Sequence, residues 1–236
     1  MQAADCDEWL PISTFVKIPK GSEDVALRWT CLGGGEFYID DFKVYFFNPP
    51  PKPTKITACY SLKSHKYDLP WGSGESDLYL NLPLDQFGTE PRPGGINKVA
   101  IYFDNPIVPL TENIYAVQIP EDITIPVSCQ EIVNGNTLIL EWDTSLVNGC
   151  YYIDLAQFVG NINPEGQNKI WLRSQEGDTN ADGTRNVMDM STIKLLNEQS
   201  AYRSPGCDLN FDGTINSLDI DIWKTLKPSV VECIKG

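Results

Sequence analysis

At 236 residues, with 42% hydrophobic and 11% aromatic side chains, the chain is long enough for one large domain or a few small ones and too apolar to be disordered. Its 18 basic residues against 32 acidic leave a net charge of −14, the wrong sign for nucleic acid or an anionic membrane surface, both of which need clustered Lys and Arg. No apolar run reaches the ~20 residues of a membrane helix, and one histidine, His65, excludes a multi-histidine zinc site.

Residues 1–47 hold alternating stretches such as 14–18 and 24–29, then Gly33-Gly34-Gly35 and the strand-like 36–45. Residues 48–54, Asn48-Pro49-Pro50-Pro51-Lys52-Pro53-Thr54, form a stiff spacer, because proline donates no ladder hydrogen bond and favours the polyproline conformation. From 55 to 174 short β-type runs alternate with turn residues. The expected strands are Lys55–Ser61, Asp77–Leu82, Asn97–Phe103, Asn113–Gln118, Thr124–Ile132, Thr137–Trp142, Cys150–Leu155 and Lys169–Arg173. Such spacing without an intervening amphipathic helix predicts an antiparallel β-sandwich, immunoglobulin-like in the loose sense. Residues 175–236 change character. Met190/Ile193/Leu196 and Leu218/Ile222/Leu226 with Trp223 recur at helical steps, predicting two helices with one buried face each. The expected fold class is therefore mainly β with a small all-α C-terminal module.

Cys6, Cys31, Cys59, Cys129, Cys150, Cys207 and Cys233 are widely spaced, with no C-x-x-C pair, which argues against zinc ribbons and thioredoxin-like sites. They suit disulfides in an oxidising, extracytoplasmic compartment. Spacing does not fix the connectivity; the expected pairs are Cys6–Cys31, Cys129–Cys150 and Cys207–Cys233, with Cys59 left over. The opening Met1–Asp5 has neither the basic nor the apolar region of a signal peptide, so export requires a leader outside this sequence.

Each expected C-terminal helix follows the same acidic loop. The first runs Asp178-Thr179-Asn180-Ala181-Asp182-Gly183-Thr184-Arg185-Asn186-Val187-Met188-Asp189, the second Asp208-Leu209-Asn210-Phe211-Asp212-Gly213-Thr214-Ile215-Asn216-Ser217-Leu218-Asp219. They agree at positions 1, 3, 5, 6, 7, 9 and 12, the positions a calcium loop uses. Side-chain oxygens at 1, 3 and 5 converge on one centre, glycine at 6 permits the sharp turn, and the carbonyl at 7 points inward. Position 9 acts through a water, and the carboxylate at 12 closes the shell from the first helical turn. The metal ligands expected for two Ca²⁺ ions are Asp178, Asn180, Asp182, Thr184 and Asp189, and Asp208, Asn210, Asp212, Thr214 and Asp219.

Two loop-then-helix repeats, with no helix before the loop and with Asp at position 12, resemble a dockerin domain over about 50 residues, 177–228. That resemblance implies a module that folds on calcium and docks through its helices onto another protein, a cohesin-like sandwich or an enzyme-complex subunit. The 30-residue offset between loops, and Val187-Met188 and Ser217-Leu218 where a Ser-Thr pair is usual, depart from cellulosomal members. Arg185 stands at position 8 where the second loop has Ile215, which in a paired EF-type unit packs between loops. The first site is accordingly expected to be the weaker.

The stretches Ser61-Leu62-Lys63-Ser64-His65, Leu82-Pro83-Leu84 and Pro91–Ile96 resemble a β-domain found ahead of dockerin-like repeats in exported proteins of environmental bacteria. Trp9 and Phe37–Phe42 resemble the closing strands of a jelly-roll or carbohydrate-binding module. Glu75, Asp77, Asp104 and Glu141 are the carboxylates available for hydrolysis, without a distinguishing spacing. Tyr67, Trp71, Tyr79 and Trp142 could stack on sugars. The leading expectation is a non-catalytic, exported calcium-binding protein that mediates assembly, as a subunit of a larger extracytoplasmic complex or filament. The alternative is a carbohydrate-binding or glycoside-hydrolase-associated fragment carrying the dockerin as a tag. Membrane insertion is not expected.

Overall fold

Valine, isoleucine and aromatic residues in short runs between Gly, Asn and Pro turns give this chain its strands. In the computed structural model the chain divides into two compact units, Met1–Pro50 and Pro51–Gly236. The described residues are 52–69, 72–110, 114–163 and 165–235, without the side chains of 65–75. The expected strands of 1–47, the Cys6–Cys31 pair, Trp9 and Trp71 lie outside them.

The second unit is mainly β. One sheet has the order β2-β1-β4-β8-β7, from β1 (Ile56–Leu69), β2 (Gly72–Leu82), β4 (Ile96–Phe103), β7 (Cys129–Val133) and β8 (Thr137–Leu146), with every pair antiparallel. The other has the order β3-β10-β9-β5-β6, from β3 (Gly88–Glu90), β5 (Tyr115–Ile119), β6 (Ile123–Pro126), β9 (Gly149–Asp154) and β10 (Lys169–Ser174). Here β3 pairs parallel with β10 and the remaining pairs are antiparallel. Val99 and Ile101 on β4, Leu138, Leu140 and Trp142 on β8, Ile153 on β9, and Ile170 and Leu172 on β10 meet in one apolar core, so the two sheets share an interior.

The expected strand Thr124–Ile132 is two strands in different sheets. Val127 N–H bonds to Ile114 in one direction and Ser128 N–H to Glu141 in the other, so the chain changes sheet between β6 and β7. The Asn134-Gly135 turn that follows has positive φ at both residues, as a tight hairpin demands.

Residues 175–235 are not all helical. They hold α1 (Val187–Leu195) and α2 (Ser217–Thr225), a 3-10 turn at Pro205–Cys207, and four two-residue strands. β11 (Thr184–Arg185) pairs with β14 (Ser229–Val230), and β12 (Gln199–Ser200) with β13 (Thr214–Ile215). A small core of Ile193, Cys207, Leu209 and Ile215 closes between them. The segment continues directly from the sheet: Gln175 N–H bonds to Glu90 O at 3.1 Å and Gly177 N–H to Pro91 O at 2.7 Å.

The disulfide pattern differs from expectation. Cys150 on β9 bonds to Cys233, with Cα atoms 5.6 Å apart, while Cys59, Cys129 and Cys207 are free. Cys129 is exposed on the edge strand of the opposite sheet and Cys207 is sealed in the small core, so neither can make its expected bond.

A buried ion pair joins the two sheets. Arg92 and Glu90 are fully buried, and Arg92 donates through Nε and Nη2 to the two Glu90 oxygens, both at 2.8 Å. It also bonds the carbonyls of Leu78 and Ser61, and Ser61 Oγ bonds Glu90. Burial alone would raise the Glu90 pKa; the Arg92 charge and these hydrogen bonds outweigh it and hold the carboxyl below its usual range.

Candidate metal centre

The two acidic loops share one pattern of turn hydrogen bonds. Asp178 accepts from Asp182 N–H (3.1 Å) and Gly183 N–H (2.9 Å); Asp208 accepts from Asp212 N–H (3.3 Å) and Gly213 N–H (3.0 Å). Asn180 and Asn210 each accept from the amide two residues on at 3.0 Å, and Asp182 and Asp212 do the same at 2.7 and 2.8 Å. Position 4 is left-handed in both, Ala181 and Phe211 having φ 61°. Gly183 and Gly213 follow with φ 86° and 84°, a region open to glycine.

Asp189 and Asp219 close the turns. Asp189 accepts from Asn180 N–H and Asn186 N–H, and Asp219 from Leu209, Asn210 and Asn216 N–H. Asn186 and Asn216 cap their helices in return, accepting from Met188 and Leu218 N–H. Position 9 thus has a cap role that the calcium-loop reading missed, although N-x-x-D ahead of a helical pattern is the sequence form of a capping box. The first and last carboxylates of each loop, Asp178, Asp189, Asp208 and Asp219, are fully buried, while Asn180, Asp182 and Asp212 lie toward solvent.

Burial raises the pKa of all four inner carboxyls. For Asp208 it does so to about 6, assisted by the charges of Asp219 and Asp212 and opposed by the Gly213 and Asp212 amides. Four buried acids with raised pKa values are short of positive charge, and the donor chemistry is hard oxygen throughout. Carboxylates at 1, 5 and 12, an amide oxygen at 3 and a carbonyl at 7 fit a cation that takes about 6–8 oxygens. Among the described residues no three His, Cys, Asp or Glu side chains are grouped so as to hold a metal ion.

The loops differ in what surrounds them. Position 8 does not pack between loops: Arg185 pairs with Ser229 on β14, and its guanidinium donates to Glu176 O at 2.6 Å and to Lys227 O. Ile215 enters the small core and pairs with Gln199. Loop one also meets a cation that sequence spacing gives no sign of. Arg173 on β10 places Nη1 3.8 Å from Asp178 Oδ2 and 3.5 Å from Ala181 O. A Cβ on Gly183 would stand 2.9 Å from that guanidinium. Among the described residues no basic side chain makes an ion pair with Asp208, Asp212 or Asp219.

No protein-family model, no curated protein and no solved structure matches this chain.

The other candidates are dispersed. Asp77 pairs with Lys98 at 3.3 Å, Asp104 accepts from Lys55 N–H and Thr54 Oγ1, and Glu141 is exposed on β8. Trp142 is core, and Tyr79 is 46% exposed on β2. The side chains of His65, Tyr67 and Glu75 are outside the described set. Of the apolar helix residues, Val187, Met188 and Leu218 are more than half exposed, so Leu218 is not on a buried face. Trp223 packs on the small core and donates Nε1–H to Gly177 O at 2.9 Å.

Proposed function

We propose that this chain is a non-catalytic, exported calcium-binding protein whose dockerin-like C-terminal segment, following an immunoglobulin-like sandwich, joins it to another protein. The observation that carries the reading is the matched pair of loops, each with two fully buried carboxylates and the same turn geometry. Bound calcium would supply the positive charge those carboxylates lack and stabilise the loop that opens each helix. Val187, Met188 and Leu218, exposed at the starts of α1 and α2, are the apolar anchors for a protein partner. The Cys150–Cys233 bond suits an oxidising compartment.

Calorimetric titration of metal-stripped protein tests this. Two Ca²⁺ sites in the wild type and one in each of Asp178→Ala and Asp208→Ala support it; absence of heat, with no change in melting temperature, rejects it.

One observation favours a second reading, glycan binding. A cleft of about 420 Å³ opens between β2 and the C-terminal segment, lined by Tyr79, Asn81, Gln86, Phe87, Tyr202 and Arg203. Tyr79 and Tyr202 are 46% and 64% exposed, giving stacking faces beside amide and guanidinium donors. A panel of neutral oligosaccharides that raises the melting temperature of the wild type but not of Tyr79→Ala would favour this reading over the first.

A further inference from the structure

Resting on the calcium reading above, we infer that the two sites are unequal in kind: loop two is braced by the neighbouring strand of its own segment, whereas loop one is assembled by a C-terminal strap that the Cys150–Cys233 disulfide locks in place. The strap is the segment from Leu226 to Cys233. Its residues Ser229–Val230 pair with Thr184–Arg185, positions 7 and 8 of loop one. Val231 N–H then bonds to Gly183 O at 3.0 Å, reaching position 6. Gln175 Nε2 bonds Ser229 O at 3.0 Å, and Arg185 bonds Lys227 O, so strap and loop are tied from both sides. Two residues beyond Val231, Cys233 is joined to β9.

Arg173 completes the link. Its Nε donates to Cys233 Sγ at 3.4 Å while its Nη1 lies against Asp178 and the Ala181 carbonyl. One side chain therefore touches both the disulfide and the first carboxylate of loop one. Loop two is braced in the same way but from nearby in its own segment: its positions 7 and 8 pair with Gln199–Ser200 and Ala201 N–H bonds to Gly213 O at 3.0 Å, and among the described residues neither a disulfide nor an arginine ion pair adjoins that brace. The carbonyl at position 7 is a calcium ligand in this loop type. When the strap is free, Thr184 and Gly183 lose the partner that fixes their backbone, and loop one must be ordered at the moment of binding, which lowers affinity. Arg173 meanwhile keeps its charge beside Asp178, competing with the cation. The coupling is reciprocal: whatever factor the disulfide contributes to calcium affinity at loop one, calcium there contributes to resistance of the disulfide to reduction.

The test isolates each loop. Asp208→Ala retains loop one only and Asp178→Ala loop two only; each is titrated with Ca²⁺ with and without Cys233→Ser. The expected result is a loss of about tenfold or more in loop-one affinity with Cys233→Ser, and a loop-two affinity changed less than about twofold. Equal effects on both loops, or none on loop one, overturn the inference. Because Cys233→Ser could impair folding, Asp208→Ala and Asp178→Ala with the native disulfide intact supply a second measurement. The disulfide is reduced with dithiothreitol, which ends as the cyclic disulfide while Cys150 and Cys233 become thiols. Saturating Ca²⁺ should slow that reduction in Asp208→Ala, with loop one intact, and not in Asp178→Ala; equal rates with and without Ca²⁺ in both count against the strap. If neither loop binds calcium at all in the oxidised protein, the calcium reading itself has failed rather than the inequality.

Discussion

In the sandwich, the buried charges of Glu90 and Arg92 neutralise each other on the spot: both residues are fully buried, and each is hydrogen-bonded to an adjoining strand. The C-terminal segment has the opposite interior. Four apolar residues form its core, and beside them sit four buried aspartates with Arg173 as their one ion-pair partner among the described residues. One region is stabilised by area removed from water, while the other keeps buried acids with little positive charge beside them. Under the function proposed above, the difference is that the sandwich carries its own counter-charges while the C-terminal segment takes its counter-ion from solution.

Glu90→Gln breaks the first half of that contrast. It leaves the Arg92 guanidinium buried without its anion, and removing one partner of such a pair costs roughly 3–5 kcal/mol. Urea unfolding should show the loss with and without calcium. Ile193→Ala attacks the small core, with an expected cost of about 2–4 kcal/mol, read as a fall in melting temperature. Calcium should restore part of that loss and none of the Glu90→Gln loss.

A pH series sharpens the contrast. The inner aspartates have folded pKa values raised by burial, Asp208 to about 6 against an ordinary value of 3.8. A raised value means the folded state binds protons more readily than the unfolded one, so their contribution to stability is present at low pH and is lost as pH rises through about 6. Metal-stripped protein should therefore melt at a higher temperature at pH 5 than at pH 7, as far as these groups decide it. In excess calcium the order reverses, because protons now compete with the metal. Scanning calorimetry at both pH values, with and without calcium, reads the reversal. The smallest effect is expected from Asn216→Ala, which removes the cap of α2 at a cost of about 1 kcal/mol.

The acidic loops and the helices behind them are readable in the chain because much of their geometry is local: the turn bonds that Asp178 and Asp189, and Asp208 and Asp219, accept fall within twelve consecutive residues. Strand positions are similarly local, and β4, β8, β9 and β10 begin within a residue of expectation. What the sequence does not carry is contact between distant residues. β3 is three residues long and exists because β10, some eighty residues later, pairs beside it. Arg173 reads as the end of an ordinary strand until the sheet aims it at Asp178. Ile215 and Arg185, alike in loop position, diverge because different strands pair with them. The disulfide is the sharpest case, since Cys129 and Cys150 are close in sequence and lie in opposite sheets.

The Cys150–Cys233 bond spans 83 residues, and that interval contains β10, both loops, both helices and the strap. The segment is thus part of a covalent ring that begins on β9 at Cys150 and is closed by the bond to Cys233. A protease that cuts once anywhere inside the ring opens it without releasing anything: the two pieces stay joined through sulfur, and both helices stay attached to the sandwich. Only two cuts, or one cut followed by a thiol, would separate them. Limited digestion should accordingly yield a nicked species that runs intact on a non-reducing gel and falls into two bands on a reducing one.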